Sequence, residues 1–287
     1  MLLATQSYFK NLLVAADGSS YSLQAEETAA NLAKAFDSKV TVIHVTPHDI
    51  KHQPYPYAGV SDSIRNEVEG WFEQRGSQIV QQAKALFAQE GVKAEVILEQ
   101  FADPSDTILE VAKEKNSDTL ILGNKGSSEI PNFALGGVTE NILRHADRAV
   151  LIVKNKPDFS KILVAHDGSK HAQRALDYAV QLGEKYKSKI TLLNVVQTML
   201  TRVQEEAAKG IGERVVSEAE SHVKGVSMDK KVELGHPAKT IIDFAKKGNY
   251  DLIVMGRRGL NPVRRFVLGS VSDKVARHAQ CSVLIVR

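Results

Sequence analysis

The chain of 287 residues holds one cysteine, one tryptophan and only 6% aromatic residues. A lone Cys281 cannot close an internal disulfide, so covalent stapling is excluded and a reducing, cytoplasmic setting is expected. Within "CSVLIV" it reads as a small buried hydrophobe. No apolar run approaches the roughly 20 residues that a membrane-spanning helix requires. The start, "MLLATQSYFK", has neither a charged n-region nor a long apolar stretch, so no signal peptide is expected. Charge of one sign is not in excess: the formal net charge of +3 supplies no global field for nucleic acid. Also missing are a GxxxxGK[ST] loop, an HExxH array and any evident Ser/His/Asp or Cys/His constellation. A composition of 43% hydrophobic and 25% charged residues is that of a soluble globular protein. The length suffices for two cores.

What is present is a repeat. "FKNLLVAADGSS" from Phe9 returns as "FSKILVAHDGSK" from Phe159, at an offset of 150. The same offset aligns "KVTVIHV" from Lys39 with "KITLLNV" from Lys189. Later the offset falls to 133: Asp118 matches Asp251, Gly123 matches Gly256 and Val153 matches Val286. The first copy therefore holds 17 extra residues. Much of this surplus is expected in "PHDIKHQPYPYAGVSD", Pro47 to Asp62, where proline and glycine mark an irregular loop. Copies of this size read as two whole domains, 1–155 and 156–287, joined near "KNKPDFS".

In the second copy, "KILVAH", "KITLLNVV", "KKVEL", "DLIVMG" and "SVLIVR" read as strands. "AQRALDYAVQLGEKY" and "AKTIIDFAKKG" carry helical apolar spacing. Continuous apolar strands suit a parallel sheet covered on both faces. The fold class expected of each copy is α/β, a doubly wound, mainly parallel five-stranded sheet with helices on both faces, Rossmann-like. The last strands, "AVLIV" and "CSVLIV", would invite aggregation as open edges, so they are expected to pair with each other within the chain.

Ligands of such sheets bind beyond the carboxyl ends of the strands, where strand order reverses. There the first strand of the second copy ends in "DGS" (Asp167 to Ser169) and the fourth in "GRRG" (Gly256 to Gly259). The Asp167 carboxylate is suited to accept from a ribose hydroxyl or an amino group, though Asp167 or Ser169 could simply cap the next helix. Gly256 and Gly259 remove side chains where a backbone bends towards a ligand. Gly269 and Ser270 open a helix whose N–H groups favour phosphate, with Ser270 and Ser272 as hydroxyl donors. Arg257, Arg258, Arg264 and Arg265 add four positive charges with no acid beside them. The isolated His166 and His236 read as structural residues near the crevice rather than acid–base groups.

The spacing G-x2-G-x9-G-[S/T], met by Gly256, Gly259, Gly269 and Ser270 together with Asp167, resembles the universal stress protein family over essentially the whole chain. The resemblance implies an adenine-nucleotide α-hydrolase-like fold and ATP between these elements. It implies that Asp167 contacts ribose or adenine, that Ala165 and Val195 line the adenine pocket, and that Met255 and Gly256 cover the nucleoside. Arg258, Gly259, Gly269, Ser270, Val271 and Ser272 would surround the phosphates. A Mg²⁺ ion could bridge those phosphates, with no protein ligand cluster demanding it. The resemblance further implies pairing through the last strands. Beyond that, a homodimer and a regulatory protein partner stand open, with neither nucleic acid nor membrane as a partner.

The first copy keeps Asp17, Gly123, Gly126 and Gly136, but Gly137 replaces the hydroxyl residue while Thr139 matches Ser272. Its loop carries Lys125 and Glu129, which cancel formally, so a triphosphate is expected chiefly in the second copy. The expected function is a cytoplasmic ATP-binding stress sensor or regulator and not an enzyme. The rivals are a slow ATPase or phosphotransferase and a nucleotide-independent interaction module.

Overall fold

The computed structural model describes residues 7–47, 61–126, 135–197, 202–223, 225–260 and 268–287. The first half runs β1 (Asn11–Ala15), α1 (Ser20–Phe36), β2 (Lys39–Pro47), α2 (Asp62–Gln89) and β3 (Ala94–Ala102). It continues with α3 (Pro104–Glu114), β4 (Thr119–Gly123), α4 (Gly137–His145) and β5 (Ala149–Val153). The second half repeats this order as β6 (Lys161–Ala165), α5 (Lys170–Tyr186), β7 (Lys189–Val196), α6 (Arg202–Ser221) and β8 (Met228–Leu234). It closes with α7 (Pro237–Lys247), β9 (Leu252–Gly256), α8 (Ser270–His278) and β10 (Ser282–Val286).

All ten strands form one sheet, ordered β3-β2-β1-β4-β5-β10-β9-β6-β7-β8. Within each half neighbours run parallel, and strand order reverses between β1 and β4 and between β6 and β9. The halves join where β5 pairs antiparallel with β10, Val150 facing Ile285, Leu151 facing Leu284 and Ile152 facing Val283. Two apolar strands that would otherwise be open edges thus cover each other's hydrogen-bonding groups.

Strand alternation sends successive side chains to opposite faces. In β1, Leu12 and Val14 enter one apolar core while Leu13 enters the other, and in β10 Leu284 and Val286 part from Val283 and Ile285 in the same way. Each core continues from the first half into the second along its own face of the sheet. Cys281 is half-buried against the second of these cores rather than fully buried, and this burial pushes its thiol up to about 11.

The repeat extends to features that sequence alignment left blurred. Gly76 in α2 lies against Leu98, Thr46 and His44, and Gly212 in α6 against the corresponding Val232, Asn194 and Val196. These two glycines are counterparts, so the offset drops from 150 at Pro47 to 136 by Gly76. Most of the first copy's surplus therefore enters between those positions, although residues 48–60 lie outside the described residues.

Candidate functional site

At each reversal of strand order the structure opens a cavity, about 330 Å³ in the first half and 390 Å³ in the second. The second is lined by Ala165, Asp167 and Val195 from the ends of β6 and β7, and by Met255, Gly256, Arg258 and Gly259 from the end of β9. Gly269, Ser270, Val271 and Ser272, at the start of α8, complete it. Asp17, Gly123, Gly126 and Gly136 line the first cavity, with Gly137 and Thr139 beside them. The spaced glycines, the serines at the helix start and the aspartate thus meet around one crevice in the second half, and their matching glycines and aspartate around another in the first.

The aspartates fasten the crevice. Asp167 Oδ1 accepts from Ser169 N at 3.0 Å, and its Oδ2 accepts from Leu260 N at 3.1 Å across the gap. Gly18 and Gly168, with φ of 76° and 88°, supply the left-handed turn that follows each aspartate. The capping role falls to the serines: Ser19 and Ser169 Oγ accept from Ser22 N and Ala172 N at 3.1 Å, opening α1 and α5.

The spaced glycines serve close approach, since none of Gly256, Gly259 and Gly269 has a positive φ. A Cβ on Gly259 would stand 2.3 Å from Asp167 Oδ2, and one on Gly126 would stand 2.6 Å from Asp17 Oδ2. Gly256 answers a different demand from the ligand approach expected of it. Its Cβ would fall 2.8 Å from the carbonyl carbon of His171, so the glycine lets α5 pack on the strand end.

The helices that open onto the crevices, α4 and α8, begin at Gly136 and Gly269 without any side-chain cap. Their first N–H groups therefore lack the partner that α1 and α5 enjoy, and carry the positive end of the helix dipole. Ser270 is exposed at this terminus. Ser272 departs from its expected role as a phosphate hydroxyl donor: its Oγ is buried and donates to Gly256 O at 2.8 Å. Thr139 does the same to Gly123 O at 2.8 Å.

The arginines divide. Arg257 is only 6% exposed and donates to the carbonyls of Ala146 and Arg144 in the other half, so it faces away from the crevice. Burial lowers its pKa to about 10, which leaves it charged at neutral pH. Arg258 lines the cavity. Arg264 and Arg265 lie outside the described residues, as does Glu129. Of the four charges expected around the second site, Arg258 is the one that the described residues bring there.

Helix α2 brings side chains to the first cavity that the loops alone do not announce. Phe72 and Arg75 line it, together with His44, Thr46 and Lys125. In the second half the counterparts of Phe72, Arg75 and His44 are Ala208, Ile211 and Asn194. Thr46 is 1% exposed and its Oγ1 has no hydrogen-bond partner. His44 Nδ1 lies 2.7 Å from Ala16 O, and burial pushes its pKa down against the Ala16 hydrogen bond and the Asp17 charge, with Arg75 adding a smaller push in the same direction as burial. The signal was available in "WFEQRG", whose aromatic and basic residues precede the matched glycine.

His166 lines the second cavity, its Nδ1 accepting from Gly168 N at 3.2 Å, and burial lowers its pKa. His236 occupies the N-cap position of α7 without a side-chain cap bond. Among the described residues no group of three or more His, Cys, Asp or Glu could hold a metal ion. No helix among them is long and apolar enough to cross a membrane.

The chain matches the model of the "Universal stress protein family" over residues 8–154 and again over 158–287. A Staphylococcus aureus (strain USA300) protein, provisionally named a universal stress protein, is 35% identical over 141 residues, which span 45% of this chain and 84% of that one. The fold is shared with the crystal structure of a universal stress protein from Archaeoglobus fulgidus DSM 4304, at a TM-score of 0.73 and 24% identity over 98% of this chain and 99% of the other. A Pseudomonas aeruginosa UCBPP-PA14 structure, likewise provisionally named, matches at a TM-score of 0.67 and 13% identity, covering 96% and 92%.

Proposed function

Because the chain belongs to the universal stress protein family, we propose that it binds an adenine nucleotide, ATP foremost, in the crevice beyond β6 and β9. In this reading it acts as a stress-response sensor or regulator in the cytoplasm and not as a catalyst. The observation that carries the reading is the start of α8, whose uncapped N–H groups open into a cavity edged by Asp167 and Gly259. Unpaired N–H groups at a helix terminus favour phosphate. The Asp167 carboxylate stands where a ribose hydroxyl could replace the Leu260 N–H that it now accepts. Apolar Ala165, Val195 and Met255 offer a wall for the base. A volume of 390 Å³ is within the ordinary range of small-molecule sites, about 300–1,000 Å³.

The fit to ATP rests on main-chain donors and space, and no side-chain cluster is assigned to Mg²⁺. We place the primary site in the second half because Ser270 adds a hydroxyl where the first half has Gly137. Electrostatics contribute less to that preference than the loop sequences suggest. Arg257 is turned away, and Arg75 and Lys125 line the first cavity.

The test is mass spectrometry of ligand released from the purified protein, followed by thermal shift with ATP, ADP, AMP and cyclic AMP. A nucleotide at a hundred times its Kd should add about 2.7 kcal/mol of stability. Asp167→Asn and Gly269→Glu should abolish that gain. An equal shift in Gly269→Glu would overturn the site, the absence of any shift would favour an interaction module, and accumulation of ADP would make the protein a slow ATPase.

A further inference from the structure

Where the start of β5 meets the end of β10, the two halves enclose a polar groove of about 260 Å³ that shares no lining residue with either crevice. Arg148 comes from the first half, and Arg174 and Arg287 come from the second. Against these three guanidinium groups stand Asp118 and Asp147. Asp118 is occupied in holding Asn11 N at 2.8 Å. Asp147 accepts from Arg148 Nε at 2.7 Å, and Arg148 also donates to Ser117 O at 2.8 Å. Arg148 is therefore fixed in place by the fold. Arg174 and Arg287 make no direct hydrogen bond or ion pair among the described residues, although the charge of Asp177 on α5 acts on Arg174 and that of Asp147 on Arg287. Ser117 also lines the groove at 5% exposure, and its Oγ, buried just beneath, has no hydrogen-bond partner.

The fold does not require this charge. By the offsets of the repeat, the counterparts of Arg148, Arg174 and Tyr8 are Cys281, Gln24 and Asp158. The counterpart of Arg287 is Lys154, which is spent on main-chain carbonyls. One of the two related surfaces thus carries three guanidinium groups, where the other has Cys281, Gln24 and a lysine already spent on carbonyls.

We propose that this groove binds a small multivalent oxyanion of the phosphate class, held by Arg174 and Arg287 and oriented by the Ser117 hydroxyl. Guanidinium groups match phosphate oxygens in geometry, and their charge-assisted hydrogen bonds are about twice as strong as neutral ones. Seated between the halves, such an anion would tie α5 to the start of β5.

The test is calorimetric titration of the full chain at low ionic strength with inorganic phosphate, pyrophosphate and glycerol 3-phosphate. The inorganic arms and the ester arm distinguish a free anion from a phosphorylated metabolite. Saturable binding of at least one probe is expected, surviving in Gly269→Glu, where the nucleotide cavity is blocked. Arg174 is exposed, so Arg174→Ala should fold normally and weaken the probe at least about tenfold, the scale of one lost charged hydrogen bond. Wild-type affinity in Arg174→Ala, loss in Gly269→Glu alone, or no binding of any probe would overturn the proposal. Loss in Gly269→Glu alone would put the anion in the crevice instead, whereas the other outcomes leave the nucleotide reading untouched.

Discussion

Lys154 Nζ lies 2.7 Å from the carbonyl oxygen of Ala279, and 3.1 Å from that of Arg277, so a cation of the first half closes the end of α8 in the second. The related carbonyls of Ala146 and Arg144, at the end of α4, accept from Arg257 of the second half. The repeat would place Asn124 opposite Arg257 and Arg287 opposite Lys154. The two copies therefore solve one problem, a helix C-terminus buried at the joint, with cations from non-equivalent positions.

Removing either cation leaves carbonyls buried without a donor. Lys154→Ala and Arg257→Ala should each lower stability by roughly 2 kcal/mol, the scale of a hydrogen bond to a charged group. Urea denaturation checks this. A loss below about 0.5 kcal/mol in both would show that the clasp contributes nothing to the joint.

The fold was legible because its strands are continuous apolar runs bounded by turns, and because a repeat reports its own boundaries. α6 went unread: Gly210 and Gly212 interrupt its pattern, and Gly212 exists to let the helix lie against Asn194 and Val232. The crevice of the candidate site was legible in its glycines and aspartates, whose spacing reflects contacts such as Gly259 against Asp167. The direction of Arg257 was not, because it depends on the other half's carbonyls. Nor was Arg75, which reaches the crevice from a helix that the loop comparison did not include.

The glycines separate by what a methyl group would strike. Gly256→Ala meets the backbone of α5 and should cost about 1–3 kcal/mol of stability, the usual scale of overpacking. Gly137 has nothing within 4 Å of its Cβ, so Gly137→Ser should fold as wild type. That change gives the first copy the hydroxyl that Ser270 supplies in the second, and should strengthen ATP binding in the first cavity severalfold, measured in a Gly269→Glu background. Unchanged affinity would mean that the hydroxyl is not what separates the two sites.

Glu26 lies in α1, 5% exposed, where the second half has the buried Leu176. Burial, reinforced by the charges of Asp17 and Glu27 against a Ser22 hydrogen bond, lifts its pKa from 4.5 to about 7. The folded value exceeds the unfolded one, so this group favours folding below pH 4.5 and loses that contribution as pH rises through 7. Glu26→Gln should match wild type near pH 4.5 and exceed it at pH 8 by up to about 3 kcal/mol. Chemical denaturation at the two pH values decides it, and equal stability at both would contradict a raised pKa.

Arg75 sets the first crevice apart in charge, since its counterpart is Ile211. Lining the first cavity beside Lys125, it should raise the affinity of that cavity for anionic ligands, while the second cavity has no cation at this place. Arg75→Ile should weaken ATP in the first cavity by roughly three- to tenfold and leave the second unchanged, again read with Gly269→Glu blocking the second. His44 gives a readout free of ligand. Its pKa is held down by burial against the Ala16 hydrogen bond and the Asp17 charge, and Arg75 adds the smallest of these contributions, so Arg75→Ile should move the imidazole titration slightly upwards in an NMR pH series. A weakened ligand without that shift would mean that Arg75 acts only on the bound anion. The shift without weakening would mean that Arg75 lies beside the cavity without touching what binds there.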